Sequence, residues 1–191
     1  MTAGDYAWIA IVDAVMGVGT ATEWARGLLA GQPERWAHTC GVARLAADIA
    51  ARIPDLEGEA LLAAAWLHDI GYAPTLAGSG FHHLDGAAAL AAKGEVELAG
   101  LVAHHTSGDS EAEVRGLTTH LQRFDAPGAL MAAALAYCDL HADPEGVPIH
   151  LDRRVAEVQV RYGRCHPVTR GLLAALPRLR EQVVLIEALL R

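Results

Sequence analysis

A chain of 191 residues, 52% hydrophobic and only 5% aromatic, is long enough to bury one core, and its Ala- and Leu-rich make-up favours closely packed helices over sheet. With 23 acidic against 15 basic residues the formal net charge is −8, which argues against the broad basic face that holds nucleic acid by its phosphates. Three scattered cysteines, Cys40, Cys138 and Cys165, form no CxxC pair, so neither a disulfide framework nor a thiolate zinc knuckle is indicated.

The N-terminus, Met1-Thr2-Ala3-Gly4-Asp5, has no basic stretch leading into an apolar one, and no signal peptide is expected. Helical patterns then follow one another at about 5–16, 20–30, 34–53, 57–70, 82–93, 95–105, 110–122, 127–142, 150–162 and 167–190. Pro33 stands at a first-turn position that tolerates a missing N–H, and Pro54 ends the same helix. Gly71 reads as a helix stop after His68-Asp69-Ile70, and Gly78-Ser79-Gly80 as part of a loop. Pro177 predicts a kink or a split in the last helix. The longest apolar run, Ala129 to Cys138, is at most half a membrane span. The pattern predicts an all-α, single-domain helical bundle over 1–191, placed in the cytoplasm and with no membrane partner.

Ten histidines exceed ordinary structural needs, and their placement carries the information. An imidazole or carboxylate on the apolar stripe of a helix costs free energy unless it is paired or ligates a metal. His38 lies on the line His38, Val42, Leu45, Ile49, Ile53 and faces the core. His68 and Asp69 close a helix whose inner face is Leu61, Leu62, Ala65 and Trp66. Adjacent helical residues diverge by about 100°, so both reach one site only at a helix end or around a two-metal centre. Asp139 follows Met131, Leu135 and Cys138 into the same interior. Of the pair His104-His105, His105 continues the stripe Leu98, Leu101, Val102, and His104 the more exposed one. His83, His120, His141, His150 and His166 keep an ordinary structural reading. Imidazole and carboxylate ligands without thiolate suit one or two divalent ions among Fe, Mn, Ni, Co and Zn, or Mg.

The order of these residues resembles the HD superfamily of metal-dependent phosphohydrolases. Leu67-His68-Asp69-Ile70-Gly71 is similar to the family signature, with His38 before it and Asp139 after it. The resemblance covers about 33–142, with helices of 1–32 and 150–191 packed on that core. His82-His83-Leu84-Asp85-Gly86-Ala87 is similar to an H-x-x-x-G-A segment of five-histidine members, which maps a ligand onto His82. His105-Thr106-Ser107-Gly108 resembles the H-T-T-G segment of symmetrical dinucleoside tetraphosphate hydrolases of this type. The resemblance implies a first metal on His38, His68, Asp69 and Asp139. With Asp69 bridging, it implies a second on His82 and His105, and it implies a phosphate contact for Arg35. The H-H-E and G-Y-P segments of cyclic-dinucleotide phosphodiesterases are absent from this sequence.

The leading expectation is hydrolysis of a small phosphorylated substrate, a nucleotide above all. In it, metal-bound hydroxide attacks phosphorus, Asp69 orients it or accepts its proton, and Arg35 screens charge. The alternatives are a di-iron oxygenase on the same ligand set and a non-catalytic metal- and nucleotide-binding module. The run Val183, Val184, Ile186, Leu189, Leu190 suits either completion of the bundle or a homo-oligomer surface.

Overall fold

The computed structural model describes residues 16–191, so the helix expected at 5–16 lies almost wholly outside the described residues. Ten α-helices and one 3-10 turn follow in order, with no strand among the described residues. They are α1 (Val18–Leu29), α2 (Pro33–Arg52), α3 (Gly58–Leu67), the 3-10 turn Ile70–Tyr72, α4 (His82–Ala91) and α5 (Val96–His104). The chain continues with α6 (Gly108–Arg115), α7 (Thr118–Leu121), α8 (Ala129–Leu140), α9 (Leu151–Tyr162) and α10 (Pro167–Leu189). None of these helices is long and apolar enough to cross a membrane.

The centre is α3, whose residues Ala60, Leu61, Ala63, Ala64, Ala65 and Leu67 are all buried. A helix apolar on every side is stable only when surrounded. Accordingly α1, α2, α5 and α8 all pack on it. Alanine at most of the contacts keeps the helices close and the core dense. A second, smaller core joins α8, α9 and α10 through Leu140, Leu151, Val155, Leu172 and Leu179.

Three local expectations are corrected. The segment 110–122 is two helices, because Gly116 turns left-handed (φ 72°) and its N–H closes α6 onto Ala112 and Glu113. Pro177 neither splits nor ends α10, which runs unbroken for 23 residues. Both Pro177 and Leu173, whose carbonyl loses its donor, lie on the exposed face, open to solvent. Gly71 does not stop a helix. α3 already ends at Leu67, and Gly71 sits within the 3-10 turn. What needs glycine there is contact: a Cβ at 71 would lie 1.9 Å from the His82 carbonyl oxygen. Gly71 thereby brings the start of α4 against the His68-Asp69 turn.

Candidate metal centre

Asp69 is the hub. It sits after α3 at φ −105°, ψ 7°, so its side chain turns away from the helical path and shares a site with His68. Arg35 Nη1 donates to Asp69 Oδ2 at 2.6 Å, and His68 Nε2 lies 3.3 Å and His38 Nε2 3.9 Å from that same oxygen. The other oxygen, Oδ1, is 3.4 Å from His82 Nε2. Burial opposes ionisation of Asp69, but Arg35 first, then His68 and His82, outweigh it and hold the carboxyl well below the usual carboxylate range. Asp139, from the end of α8, receives His38 Nε2 at 3.1 Å on Oδ1 and the Thr106 hydroxyl on Oδ2. Burial raises its pKa, and the His38 contact, then His68 and Arg154, override this and keep it ionised.

The histidines are anchored from behind. His68 Nδ1 donates to the Ala65 carbonyl at 2.8 Å and His105 Nδ1 to the Val102 carbonyl at 2.7 Å. A carbonyl only accepts, so Nδ1 carries a proton, and in the neutral ring the Nε2 lone pair faces the cluster. His38 Nδ1 faces the Asp143 carbonyl at 3.1 Å while its Nε2 faces Asp139. A neutral imidazole can donate to only one of those two acceptors. A divalent cation held by His38 Nε2 and the carboxylates would be compatible with Nδ1 as the donor to Asp143. His68 Nε2 is buried, and its contact with Asp69 Oδ2 at 3.3 Å falls outside hydrogen-bond geometry. A ligand atom held this loosely is available to an ion. On these grounds the donor set fits a divalent ion: His38, His68 and Asp69 each present a ligand atom within 4.8 Å of the others.

A second group stands beside the first. Ring nitrogens of His82, His83 and His105 also lie within 4.8 Å of one another. Tyr72 stacks on His82 at 4.0 Å, and His83 stacks on His105 at 4.0 Å. Burial is the main force lowering the pKa of all three, and neighbouring imidazoles add to it. They are therefore neutral, the form that ligates. In His68 burial also disfavours the charge, but Asp69 outweighs it and the pKa is raised.

The structure thus brings together Arg35, His38, His68, Asp69, His82, His105 and Asp139. It separates His104 from them: its Nδ1 is 2.8 Å from Asp109 Oδ1 and its Nε2 2.9 Å from the Phe124 carbonyl. Arg35 is not an exposed first-turn residue. Its guanidinium lies 3.9 Å over the Tyr72 ring, with Tyr162 Oη at 3.4 Å. His166 caps α10 through Nδ1, while His120 and His150 are exposed.

Beside the cluster stand two buried side chains, His83, which sequence reasoning reads as structural, and Glu111, which it does not single out. Glu111 is 1% exposed, and its pKa is raised by burial against the opposing Arg115. The inward spacing Gly108, Glu111, Ala112 on α6 was the available signal. Sequence reasoning also missed the far wall of the cleft, where Arg154, Arg161 and Tyr162 of α9 face Arg35, Asp69 and Asp139.

A family model described as the HD domain matches residues 35–142, more than half of the chain. No curated protein and no solved structure matches it. Helices α9 and α10 lie beyond the matched segment, so part of the cleft wall is built outside the shared core.

Proposed function

The chain belongs to the HD-domain family, a superfamily of metal-dependent phosphohydrolases, and from that premise we propose that it cleaves a phosphoester or phosphoanhydride bond in a small substrate of the nucleotide class. The observation that carries this reading is the anchoring of His38, His68 and His105 through Nδ1 to backbone carbonyls, around two ionised carboxylates. A divalent ion bound there activates water and screens phosphate charge. His38, His68, Asp69 and Asp139 are the residues that would hold it, with His82 and His105 at a second position.

Asp69 serves as ligand and orienting group. A general base works best with a pKa near the working pH, and a carboxyl held so far below its usual range is a weak proton acceptor. Arg35 touches the substrate phosphate from the mouth of the cleft, and Arg154 and Arg161 on α9 add positive charge on the opposite wall. The Tyr72 ring lies against the guanidinium of Arg35, and the Tyr162 hydroxyl accepts from its Nη2.

Phosphate release from a panel of nucleotides, with Mn, Fe, Co, Ni, Zn or Mg added back singly, tests the reading, and Asp69→Ala is the control. Release that needs a metal and vanishes in the variant supports it. Iron binding with oxygen consumption and no phosphate release would replace it by the oxygenase. Tight nucleotide binding without turnover under every metal would replace it by a binding module.

A further inference from the structure

Thr106 stands directly after His105 and is the only non-glycine among the described residues with a positive φ, 49°. A β-branched side chain is disfavoured there, because its Cβ crowds the backbone, so the turn has to be held. One bond closes it from within: the Gly108 N–H donates to the His105 carbonyl at 2.9 Å. Another holds it from outside, where Arg178 Nη2 of α10 donates to the Thr106 carbonyl at 2.7 Å. Glycine would take this conformation freely, so what threonine brings is its side chain. That side chain is buried, and its hydroxyl donates to Asp139 Oδ2.

The packing of α10 on α6 puts the guanidinium in place. Gly171 lets the two helices touch, since a Cβ there would lie 2.7 Å from the Glu111 Cα. Seven residues make two helical turns, so Arg178 lies on the same face as Gly171, about 10 Å farther along. Over that distance the contacts step back from Glu111 to Thr106, just ahead of α6. Arg178 is itself exposed and steadied by Gln182 Oε1 at 3.1 Å, so its bond to Thr106 is not a by-product of burial. It also lies beyond residues 35–142, and the clamp is therefore supplied from outside the matched core.

An aspartate carboxylate rotates over a broad range unless its oxygens are held. With Oδ2 taken by Thr106, Asp139 Oδ1 is the oxygen left 3.1 Å from His38 Nε2 and 3.7 Å from Arg154 Nη2. We propose that Thr106 and Arg178 are positioning residues of the metal centre: Arg178 clamps the left-handed turn, and the Thr106 hydroxyl fixes Asp139 with Oδ1 turned to His38. This rests on the reading of His38, His68, Asp69 and Asp139 as metal ligands. Neither residue touches the ion; both act through Asp139.

The test is cobalt(II) titration, with thermal melts of the metal-free chain, on wild type, Thr106→Val, Thr106→Ser, Arg178→Met and the Thr106→Val/Arg178→Met double variant. Thr106→Val, which keeps the shape and loses the hydroxyl, is expected to bind cobalt at least about tenfold more weakly. Thr106→Ser, which keeps the hydroxyl, should retain the wild-type affinity. Arg178→Met should weaken cobalt binding in the wild-type background and add nothing to Thr106→Val, because the clamp acts only through that hydroxyl. Wild-type affinity in Thr106→Val or in Arg178→Met overturns the proposal, even where the melting temperature falls, since the residues would then be structural only. An equal loss in Thr106→Ser, or an Arg178→Met effect of the same size in both backgrounds, also overturns it. Should the Thr106 variants not fold, Arg178→Met decides alone, its substitution being at an exposed position. Failure of the underlying reading looks different: the wild-type chain itself would then bind no cobalt.

Discussion

Arg35 Nη1 and Asp69 Oδ2 lie 2.6 Å apart, an ion pair that joins the first turn of α2 to the buried carboxylate at the hub of the cluster. Asp69 is almost completely buried, and Arg35 is the largest influence stabilising its charge. The same guanidinium also lines the cleft. Arg35→Ala is expected to lower turnover by about a hundredfold, the scale of losing one charged contact to a developing anion. Arg35→Lys keeps the charge but loses the planar stack on Tyr72, so it should recover only part of the rate. Steady-state kinetics together with metal content checks this; unaltered kcat/KM in Arg35→Ala would remove Arg35 from the site.

His104 and His105 are neighbours with opposite duties, and their substitutions should separate. His105→Ala should reduce metal binding. His104→Ala should leave it intact and destabilise the fold instead. The Asp109 hydrogen bond, against burial, raises the His104 pKa from its ordinary 6.5, and His104 lowers that of Asp109 from 3.8. A raised histidine contributes stability below its unfolded value and loses it as pH rises through the folded value; a depressed aspartate contributes above its unfolded value and loses it as pH falls. The pair is therefore strongest between about pH 4 and 6.5. Urea melts of wild type and His104→Ala should differ most there and converge in alkali. A stability gap that stays constant up to pH 9 would contradict this.

Gly71→Ala places a methyl group 1.9 Å from the His82 carbonyl, against backbone that cannot yield as a side-chain tip would. The expected cost is about 3 kcal/mol or more, with α4 displaced and His82 moved away from Asp69. Thermal denaturation and metal content should both fall. A variant with the wild-type melting temperature would mean that the 3-10 turn shifts freely.

Arg161 reaches the cleft from α9, 30% exposed and paired with Glu157 at 2.7 Å. Its partial exposure suits a role in attracting anions, which salt screens. Arg161→Ala should raise KM for a nucleotide several-fold at low ionic strength with little change in kcat, and the effect should fade at high salt. A loss of kcat with KM unchanged would assign it a different part.

The helical bundle was legible because apolar residues recur at three and four positions along nearly every segment, and that periodicity fixes which face of α2 carries His38. His105 was separable from His104 on the same ground. The split at Gly116 was not legible, since the pattern across 110–122 is weak and one left-handed glycine decides it. His83 reads as structural in the sequence, and the fold places it beside the cluster. The spacing to Gly86 singles out His82 and carries no signal for its neighbour. The first turn of α4 is instead enclosed on several sides, by Tyr72 against His82 and by Gly108 and Glu111 against His83. The wall supplied by α9 depends on how a helix outside the shared core docks, which pairwise packing in three dimensions determines and no local motif records.

The most direct measurement is the divalent metal content of the purified chain and of its Asp69→Ala variant, both before and after reconstitution. One or two ions per chain in the wild type, lost from a variant that still melts cooperatively, is the predicted result. A wild-type chain that takes up no divalent ion under any reconstitution would contradict the account, because the imidazoles of His38 and His68 and the Asp69 carboxylate would then converge on no ligand.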